Sequence, residues 1–237
     1  MTNTLQDIIS SSKKIVFFGG AGVSTESGIP DFRSTDGLYN QKYKYPPEII
    51  LSHDFFVTDT EEFFRFYKDK MLFLSAMPNA AHIFLARLEA AGKLTGIVTQ
   101  NIDGLHQKAG NRKVFELHGS VHRNYCSRCN KMYDGQYILN SQGIPRCSCT
   151  GILKPDVVLY DEILNEETVS GAINAIITAD TMIVAGTSLT VYPAASLLQY
   201  FGGETLVLIN RDETGLESVA DLVIRENVGE VLSKIII

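Results

Sequence analysis

The sequence predicts an α/β fold in which a doubly wound parallel sheet carries a small metal-binding insert. Three observations support this. Runs that are apolar at every position, Ile15 to Phe18, Met182 to Ala185 and Leu206 to Ile209, read as strands covered on both faces. Segments with helical apolar spacing alternate with these runs, as parallel βαβ connections require. Four cysteines fall in two close pairs, Cys126 with Cys129 and Cys147 with Cys149. With 237 residues, the chain is long enough for one large domain and an appended module.

Taken in order, Leu5, Ile8 and Ile9 recur at helical spacing, so a short helix leads into the first strand. That strand runs into Gly19-Gly20-Ala21-Gly22-Val23-Ser24-Thr25-Glu26-Ser27-Gly28. Glycines after a first strand let backbone amides approach a pyrophosphate, although Thr25 stands where the dinucleotide fingerprint has its third glycine. A tight structural turn is the alternative. Pro30 ends any helix there, and Phe32 with Arg33 would lie on a loop over a ligand, or act as an aromatic anchor and a solvated charge. Tyr39 to Pro47 reads as irregular surface. Glu61 to Ser75 holds enough aromatic and aliphatic residues for a helix buried on most of its circumference. Its aromatic stripe reads as core rather than as a binding box. Ala80 to Ala90 is a second helix with Ile83, Phe84 and Leu88 on one face and Gly92 as its cap. His53 and His82 read as ordinary surface or helix histidines.

Two further apolar runs, Ile97 to Thr99 and Val114 to Leu117, each end in polar and glycine residues. At the carboxyl ends of parallel strands, Gln100, Asn101, Asp103 and His118 would converge on one crevice. Amides, an acid and an imidazole that titrates near neutral pH suit general base chemistry. A plain turn and a hydrogen-bonded histidine would look the same at this level. The cysteine pairs that follow fit one tetrahedral zinc, and four sulfurs leave no open position, so the metal would hold the fold rather than act on substrate. Val157 to Tyr160 leads to the acidic pair Asp161-Glu162, and Thr168 to Ala179 has helical spacing. Strand Met182 to Ala185 ends at Gly186-Thr187-Ser188-Leu189, Pro193 to Tyr200 suggests a helix, and Leu206 to Ile209 ends at Asn210-Arg211-Asp212. Leu222 to Ile224 is the last strand, and Val228 to Ile237 a closing helix.

Composition excludes some classes of function. The chain is 45% hydrophobic and 20% charged, as in an ordinary globule, and its formal charge of −6 argues against phosphate-driven nucleic-acid binding. No apolar run reaches bilayer-spanning length and the first residues lack a secretion signal, so a cytoplasmic location without membrane association is expected.

With these residues in place, the chain resembles the sirtuin family of NAD-dependent protein deacylases, in its bacterial form. The matching stretches are Gly20-Ala21-Gly22-Val23-Ser24 with Ser27-Gly28-Ile29-Pro30-Asp31-Phe32-Arg33, Thr99-Gln100-Asn101-Ile102-Asp103-Gly104-Leu105-His106, and Glu116-Leu117-His118-Gly119-Ser120. The four cysteines, Lys154-Pro155-Asp156-Val157-Val158, Gly186-Thr187-Ser188-Leu189 and Ile209-Asn210 complete the set. They occur in the family's order along nearly the whole chain.

The resemblance implies a Rossmann-like NAD-binding domain at 1–38, 78–121 and 155–237. It also implies a small domain at 39–77 and 122–154, made of a helical insert and a zinc ribbon. An acyl-lysine peptide would enter between the two, and the working protein would be a monomer. Gly20, Ala21, Gly22, Thr25, Gln100, Gly186, Thr187, Ser188, Asn210 and Val228 would contact the dinucleotide. Phe32, Ile102 and Asp103 would surround nicotinamide, and Arg33 would sit on a mobile cofactor loop. His118 corresponds to the catalytic base, with Asn101, Asp103 and Ser24 ordering ribose and water. Val157, Val158, Leu159 and Tyr160 would pair with the peptide backbone as an added strand.

Two departures from the family pattern matter. Leu159-Tyr160-Asp161-Glu162 stands where many members have Trp-Phe-Gly-Glu. Members that prefer succinyl or malonyl groups carry a Tyr and an Arg three residues apart in the helical insert, and here the counterparts are Phe64 and Tyr67. Without that cation, acetyl or longer neutral acyl groups are expected. Transfer of ADP-ribose to a protein and plain NAD hydrolysis begin with the same bond cleavage and stay open as alternatives, as does a non-enzymatic NAD-sensing scaffold.

Overall fold

The structure, a computed structural model, describes residues 4–31 and 44–237. Phe32, Arg33 and the first part of the stretch from Tyr39 to Pro47 lie outside the described residues. The chain opens with α1 (Leu5–Ser11) and β1 (Ile15–Gly19), then passes through α2 (Pro47–Ile50), α3 (His53–Thr58), α4 (Thr60–Lys70) and α5 (Ala80–Ala90) to β2 (Leu94–Thr99). Next come α6 (Leu105–Lys108), β3 (Val114–Glu116), β4 (Gly119–Cys126), β5 (Met132–Tyr133), α7 (Gly135–Asn140) and β6 (Leu153–Val157). The last part holds α8 (Glu166–Ile177), β7 (Thr181–Ala185), a 3-10 helix Ala194–Tyr200, β8 (Thr205–Ile209), β9 (Leu222–Ile224) and α9 (Val228–Ser233). No helix among the described residues is long and apolar enough to cross a membrane.

Six parallel strands lie in the order β3-β2-β1-β7-β8-β9. Alternation sends Phe17, Ile97, Ile183 and Val207 to one face, against Leu5 of α1, Leu85 of α5 and Val231 of α9. Val16, Val98, Met182 and Leu208 face the other way, against Ala172 of α8 and Leu197 of the 3-10 helix. Helices thus cover both faces, which is why the strand sequences are apolar throughout. The strand order reverses between β1 and β7, the position where an open α/β sheet offers a crevice at its carboxyl edge.

A second, antiparallel sheet, β5-β4-β6, shares a separate core with α2, α3, α4 and α7. Phe55, Phe56, Phe63, Phe64 and Tyr67 fill that core, with Phe63 stacked on Tyr67 and edge-on to Phe56. The aromatic stripe is therefore core, as its density suggested. Gly119, at φ +75°, starts β4 where an added Cβ would lie 1.9 Å from the Asp156 carbonyl oxygen, so only glycine lets β4 close against β6.

Several local expectations change. α4 ends at Lys70 rather than running to Ser75, and the chain beyond it turns toward the cleft. The buried face of α5 is Ala81, Phe84, Leu85 and Leu88, which leaves Ile83 half exposed. The stretch 193–200 winds as a 3-10 helix, and the closing helix stops at Ser233. His82 is fully buried, not a surface residue. Its ring lies 4.7 Å from that of His106, also buried, and Nδ1 of His82 accepts the Asn79 N–H at 3.2 Å as part of the α5 cap.

Burial pushes His82 down to about 4 against the opposing charge of Asp103, and pushes His106 well below its ordinary value with help from His82. Both rings fold neutral, whereas the unfolded chain protonates them near pH 6.5. Stability should be flat above that pH and fall as pH drops from about 6.5 toward 4. Each histidine contributes a slope of up to about 1.4 kcal/mol per pH unit. Denaturant titrations at pH 7 and 5 check this, and an unchanged free energy would contradict it.

Candidate active site

The crevice at the strand-order reversal is built by the ends of five strands, β1, β2, β3, β7 and β8. After β1 the chain makes two 3-10 turns, Ala21–Val23 and Thr25–Ser27, and after β7 it turns through Gly186 at φ +57°. These loops touch. A Cβ on Gly22 would lie 2.7 Å from the Gly186 Cα, and one on Gly20 would lie 2.8 Å from Thr187 Cβ. The Gly22 N–H donates to the Gly186 carbonyl at 2.8 Å and the Gly20 N–H to the Ala185 carbonyl at 3.2 Å. The glycines are therefore required for the two loops to approach each other, and the Gly22 amide is already committed within the protein. The sequence reading, which aimed these amides at a pyrophosphate, changes on that point. Thr25 adds a hydroxyl donated to the Gly22 carbonyl at 3.0 Å.

From β2, Gln100 reaches across the end of β1 and donates its amide to the Thr187 hydroxyl at 3.0 Å. Asn101 donates its side-chain amide to Ser24 Oγ at 3.0 Å, and Ser24 Oγ in turn donates to Asp103 Oδ2 at 2.6 Å. The other Asp103 oxygen accepts the Leu105 N–H at 2.9 Å. Asn101, Asp103 and Ser24, expected together from separate segments, thus form one hydrogen-bonded chain. Ser24 and Asn101 are buried, which fixes their orientation.

His118 follows β3. Its Nδ1 lies 3.0 Å from the Gln100 carbonyl oxygen, which can only accept, so Nδ1 carries the proton and Nε2 keeps the lone pair. Burial holds this imidazole below the ordinary histidine value, while the bond to the Gln100 carbonyl pulls in the opposite direction. A partly buried imidazole whose Nε2 keeps its lone pair is suited to removing a proton from a substrate hydroxyl.

A cavity of about 320 Å³ runs through these residues. At one end it is lined by Asn210 and Val228, in the middle by Gly20, Ala21, Gly22, Gly186, Thr187 and Ser188, and at the other end by Asn101, Ile102, Asp103 and His118. Its continuous path from β8 to His118 and its largely neutral polar lining fit an extended dinucleotide. Thr25 is absent from this lining. On the side of the small sheet, the wall is Leu51, Met71, Phe73, Val121, Val157, Val158, Leu159 and Tyr160.

The expected substrate strand needs correction. β6 ends at Val157, and the three amides beyond it are used internally. Val158 donates to the His118 carbonyl at 3.0 Å, Leu159 to a Glu162 carboxylate oxygen at 2.9 Å, and Tyr160 to the Leu51 carbonyl at 2.9 Å. No free run of amides is left for strand addition, because the helical insert and a side chain already bond to that edge. Phe64 and Tyr67 are likewise fully buried in the small core and absent from the cavity wall, to which the end of α4 supplies Lys70 and Met71 instead.

The four cysteine sulfurs all lie within 4.8 Å of one another, with three of the separations at 3.5 Å. Four ligands at about 2.3 Å from a tetrahedral zinc stand about 3.8 Å apart, so the cluster fits one such ion. The Tyr133 hydroxyl donates to Cys147 Sγ at 3.2 Å and the Arg128 N–H to Cys126 Sγ at 3.4 Å, which favours the thiolate form.

Sequence reading missed two supports. His122 Nε2 donates to the Asp103 carbonyl at 2.9 Å, against Gly104, where a Cβ would lie 2.7 Å from the imidazole ring. Glu162 also lines the cavity. His122 acts on a residue 19 positions earlier, and Glu162, although visible as half of an acidic pair, shows its role only through its contact with His53, 109 positions away.

Comparison with known proteins agrees with this geometry. A sequence model described as the Sir2 family matches residues 20–193. The chain is 59% identical over 238 aligned residues to an NAD-dependent protein deacetylase of Clostridium perfringens (strain 13 / Type A), covering 99% of this chain and 98% of the relative. A solved Sir2 with a deacetylated p53 peptide and 3′-O-acetyl ADP ribose superposes with a TM-score of 0.88 at 42% identity, over 96% of this chain and 94% of that one. A Sir2 bound to acetylated peptide gives a TM-score of 0.85 at 40% identity, over 95% and 93% of the two chains.

Proposed function

The chain belongs to the Sir2 family, and from that premise we infer how its cleft carries out the family's reaction. The protein is an NAD-dependent protein-lysine deacetylase that uses NAD and one structural zinc. Acyl-lysine peptides are its substrates. The observation that carries the reading is the pairing of a neutral His118 Nε2 with the Asn101–Ser24–Asp103 chain in one cavity.

NAD, when bound, supplies the ribosyl carbon that accepts the acyl oxygen as nicotinamide leaves. We assign the protein's own contributions as follows. Gly20, Ala21, Gly22, Gln100, Gly186, Thr187, Ser188, Asn210 and Val228 hold the dinucleotide along the crevice. Thr25 acts from behind through its bond to the Gly22 carbonyl. The amide of Asn101 and the carboxylate of Asp103 form a preorganised polar wall where positive charge develops on ribose, and Ser24 fixes both. Ile102 closes the nicotinamide side. Phe32 and Arg33 are assigned to the same end by resemblance alone. His118 Nε2 then takes a proton from a ribose hydroxyl, and its Nδ1–H stays on the Gln100 carbonyl so that the ring keeps its orientation. Val157, Val158, Leu159 and Tyr160 form the substrate wall.

Leu51, Met71, Phe73, Val121 and Leu159 make the acyl side of the cleft largely apolar, and Lys70, a cation on this wall, is paired with Asp69 at 3.1 Å, which supports neutral acyl groups. The separate cores of the two sheets support two units. The bounds 1–38, 78–121 and 155–237 against 39–77 and 122–154, however, cut through β4 and β6, and Val121, Val157 and Leu159 pack in the small core, so the small unit takes in both strands whole. The formal charge of −6 supports a peptide rather than a nucleic acid as partner, and the working form is taken as a cytoplasmic monomer free of the membrane.

Incubation with NAD and acetylated peptide should release nicotinamide only when peptide is present, with O-acetyl-ADP-ribose formed and a succinylated peptide turned over more slowly. Peptide-independent release would favour hydrolysis, and label from NAD on protein would favour ADP-ribosyl transfer.

A further inference from the structure

The substrate wall is held by one carboxylate of the acidic pair that follows it, Glu162. Three elements converge on Glu162. His53 Nδ1, at the start of α3, lies 2.7 Å from Oε1, while Lys154 Nζ of β6 donates to Oε2 at 3.0 Å and the Leu159 N–H to the same oxygen at 2.9 Å. Lys154 Nζ also donates to the Val157 carbonyl at 3.1 Å, so the same ion pair fixes the start of the wall. The far end is held by the backbone around His53, whose N–H donates to the Tyr160 carbonyl at 3.1 Å. Between them Asp161 adopts φ +73°, a left-handed conformation that a non-glycine residue keeps only when its surroundings enforce it, and this turns Glu162 back onto its own loop. Burial opposes charge on Glu162, yet the hydrogen bonds from His53, Leu159 and Lys154 hold its carboxyl below the ordinary value.

We propose that Glu162, clamped by His53 and Lys154, is a positioning residue for substrate peptide: it fixes the turn that presents Val158 and Tyr160 to the incoming chain. This rests on the assignment of residues 157–160 as the substrate wall. Removing the charge leaves the Lys154 ammonium and the Leu159 amide without their acceptor in a partly buried site, so the turn loosens. The glycine loops and Asn210 lie at the other pole of the cavity, and NAD binding is untouched.

The test uses zinc-loaded full-length protein and a neutral acetyl-lysine peptide, with KM for peptide and NAD, kcat, and peptide Kd without NAD measured for wild type, Glu162→Gln, His53→Gln and the double variant. Losing a charge-assisted network should raise peptide KM and Kd about 10-fold in Glu162→Gln. NAD KM should stay unchanged and kcat at saturating peptide within about two-fold. His53→Gln, at an exposed position that tolerates substitution, should give a smaller rise, and the double variant should be no worse than Glu162→Gln. Unchanged peptide affinity, or parallel losses in kcat and both KM values, would overturn the proposal. So would fully additive effects. A peptide with a photoreactive group beside its acetyl-lysine separates the two ideas. Labelling away from residues 157–160 rejects the wall assignment, and labelling there with unaltered affinity in Glu162→Gln rejects the clamp alone.

Discussion

His118→Ala is expected to lower kcat for deacetylation by about 10²- to 10⁴-fold, the usual contribution of a positioned general base, while NAD still binds. The expectation follows from two facts about the ring. Its Nδ1–H is fixed on the Gln100 carbonyl at 3.0 Å, so Nε2 is the only basic atom the residue offers to the cavity. The dinucleotide crevice is built by other residues, Gly20 to Gly22, Gly186 to Ser188 and Asn210, none of which depends on the imidazole. Calorimetric titration with NAD alongside product assays checks both halves. Activity within a few-fold of wild type would remove the base assignment, and loss of NAD binding would make the residue structural. The same ring sets the acid limb. Because burial keeps His118 below the ordinary histidine value, its base form persists to lower pH. The acid limb of kcat/KM should therefore lie below about pH 6.5, and a limb above that value would contradict the burial argument.

The second large effect belongs to the metal. Cys147→Ser, or removal of zinc by a chelator, should abolish stoichiometric zinc binding and lower the melting temperature by about 10 °C or more, the range in which losing several kcal/mol falls for a chain of this size. The sulfur cluster joins the start of the β4–β5 turn, at Cys126 and Cys129, to the segment before β6, at Cys147 and Cys149. β4 and β6 are otherwise joined by an interrupted antiparallel ladder with a register shift between Ser120 and Asn124. Gly119 at the head of β4 directly follows His118, and the Val158 N–H donates to the His118 carbonyl. Loss of the metal should therefore reach the active site, lowering activity together with stability. Retention of the wild-type melting temperature and activity in the zinc-free protein would show that the small sheet stands without it.

The features legible in the residues were those with a short-range physical signature. Uninterrupted apolar runs identified β1, β7 and β8, because a strand covered on both faces has no polar position to show. The four cysteines declared their metal, since two close pairs of thiols can meet one tetrahedral ion. His118, Asn101, Asp103 and Ser24 were found by motif, and the fold brings Asn101, Asp103 and Ser24 into one hydrogen-bonded chain. Element ends were less legible. The surface position of Ile83 and the early end of α4 depend on which helix face meets the sheet or the cleft, and side-chain spacing alone leaves that phase open by a residue or two.

Chain chemistry was enough to place the strands of the parallel sheet and to group the four sulfurs as one zinc site, because both depend on side-chain type and near neighbours, whereas the short strands of the second sheet came from the fold. The purpose of the glycines at 20, 22 and 186, the burial of His82 against His106 and the capture of the Leu159 amide by Glu162 came from the fold alone. The glycine loops and the two histidines pair across distant parts of the chain, and Glu162 reaches the Leu159 amide only because Asp161 turns back at φ +73°. Close packing, which allows no overlap and leaves few buried donors unpaired, sets these roles once the chain has folded.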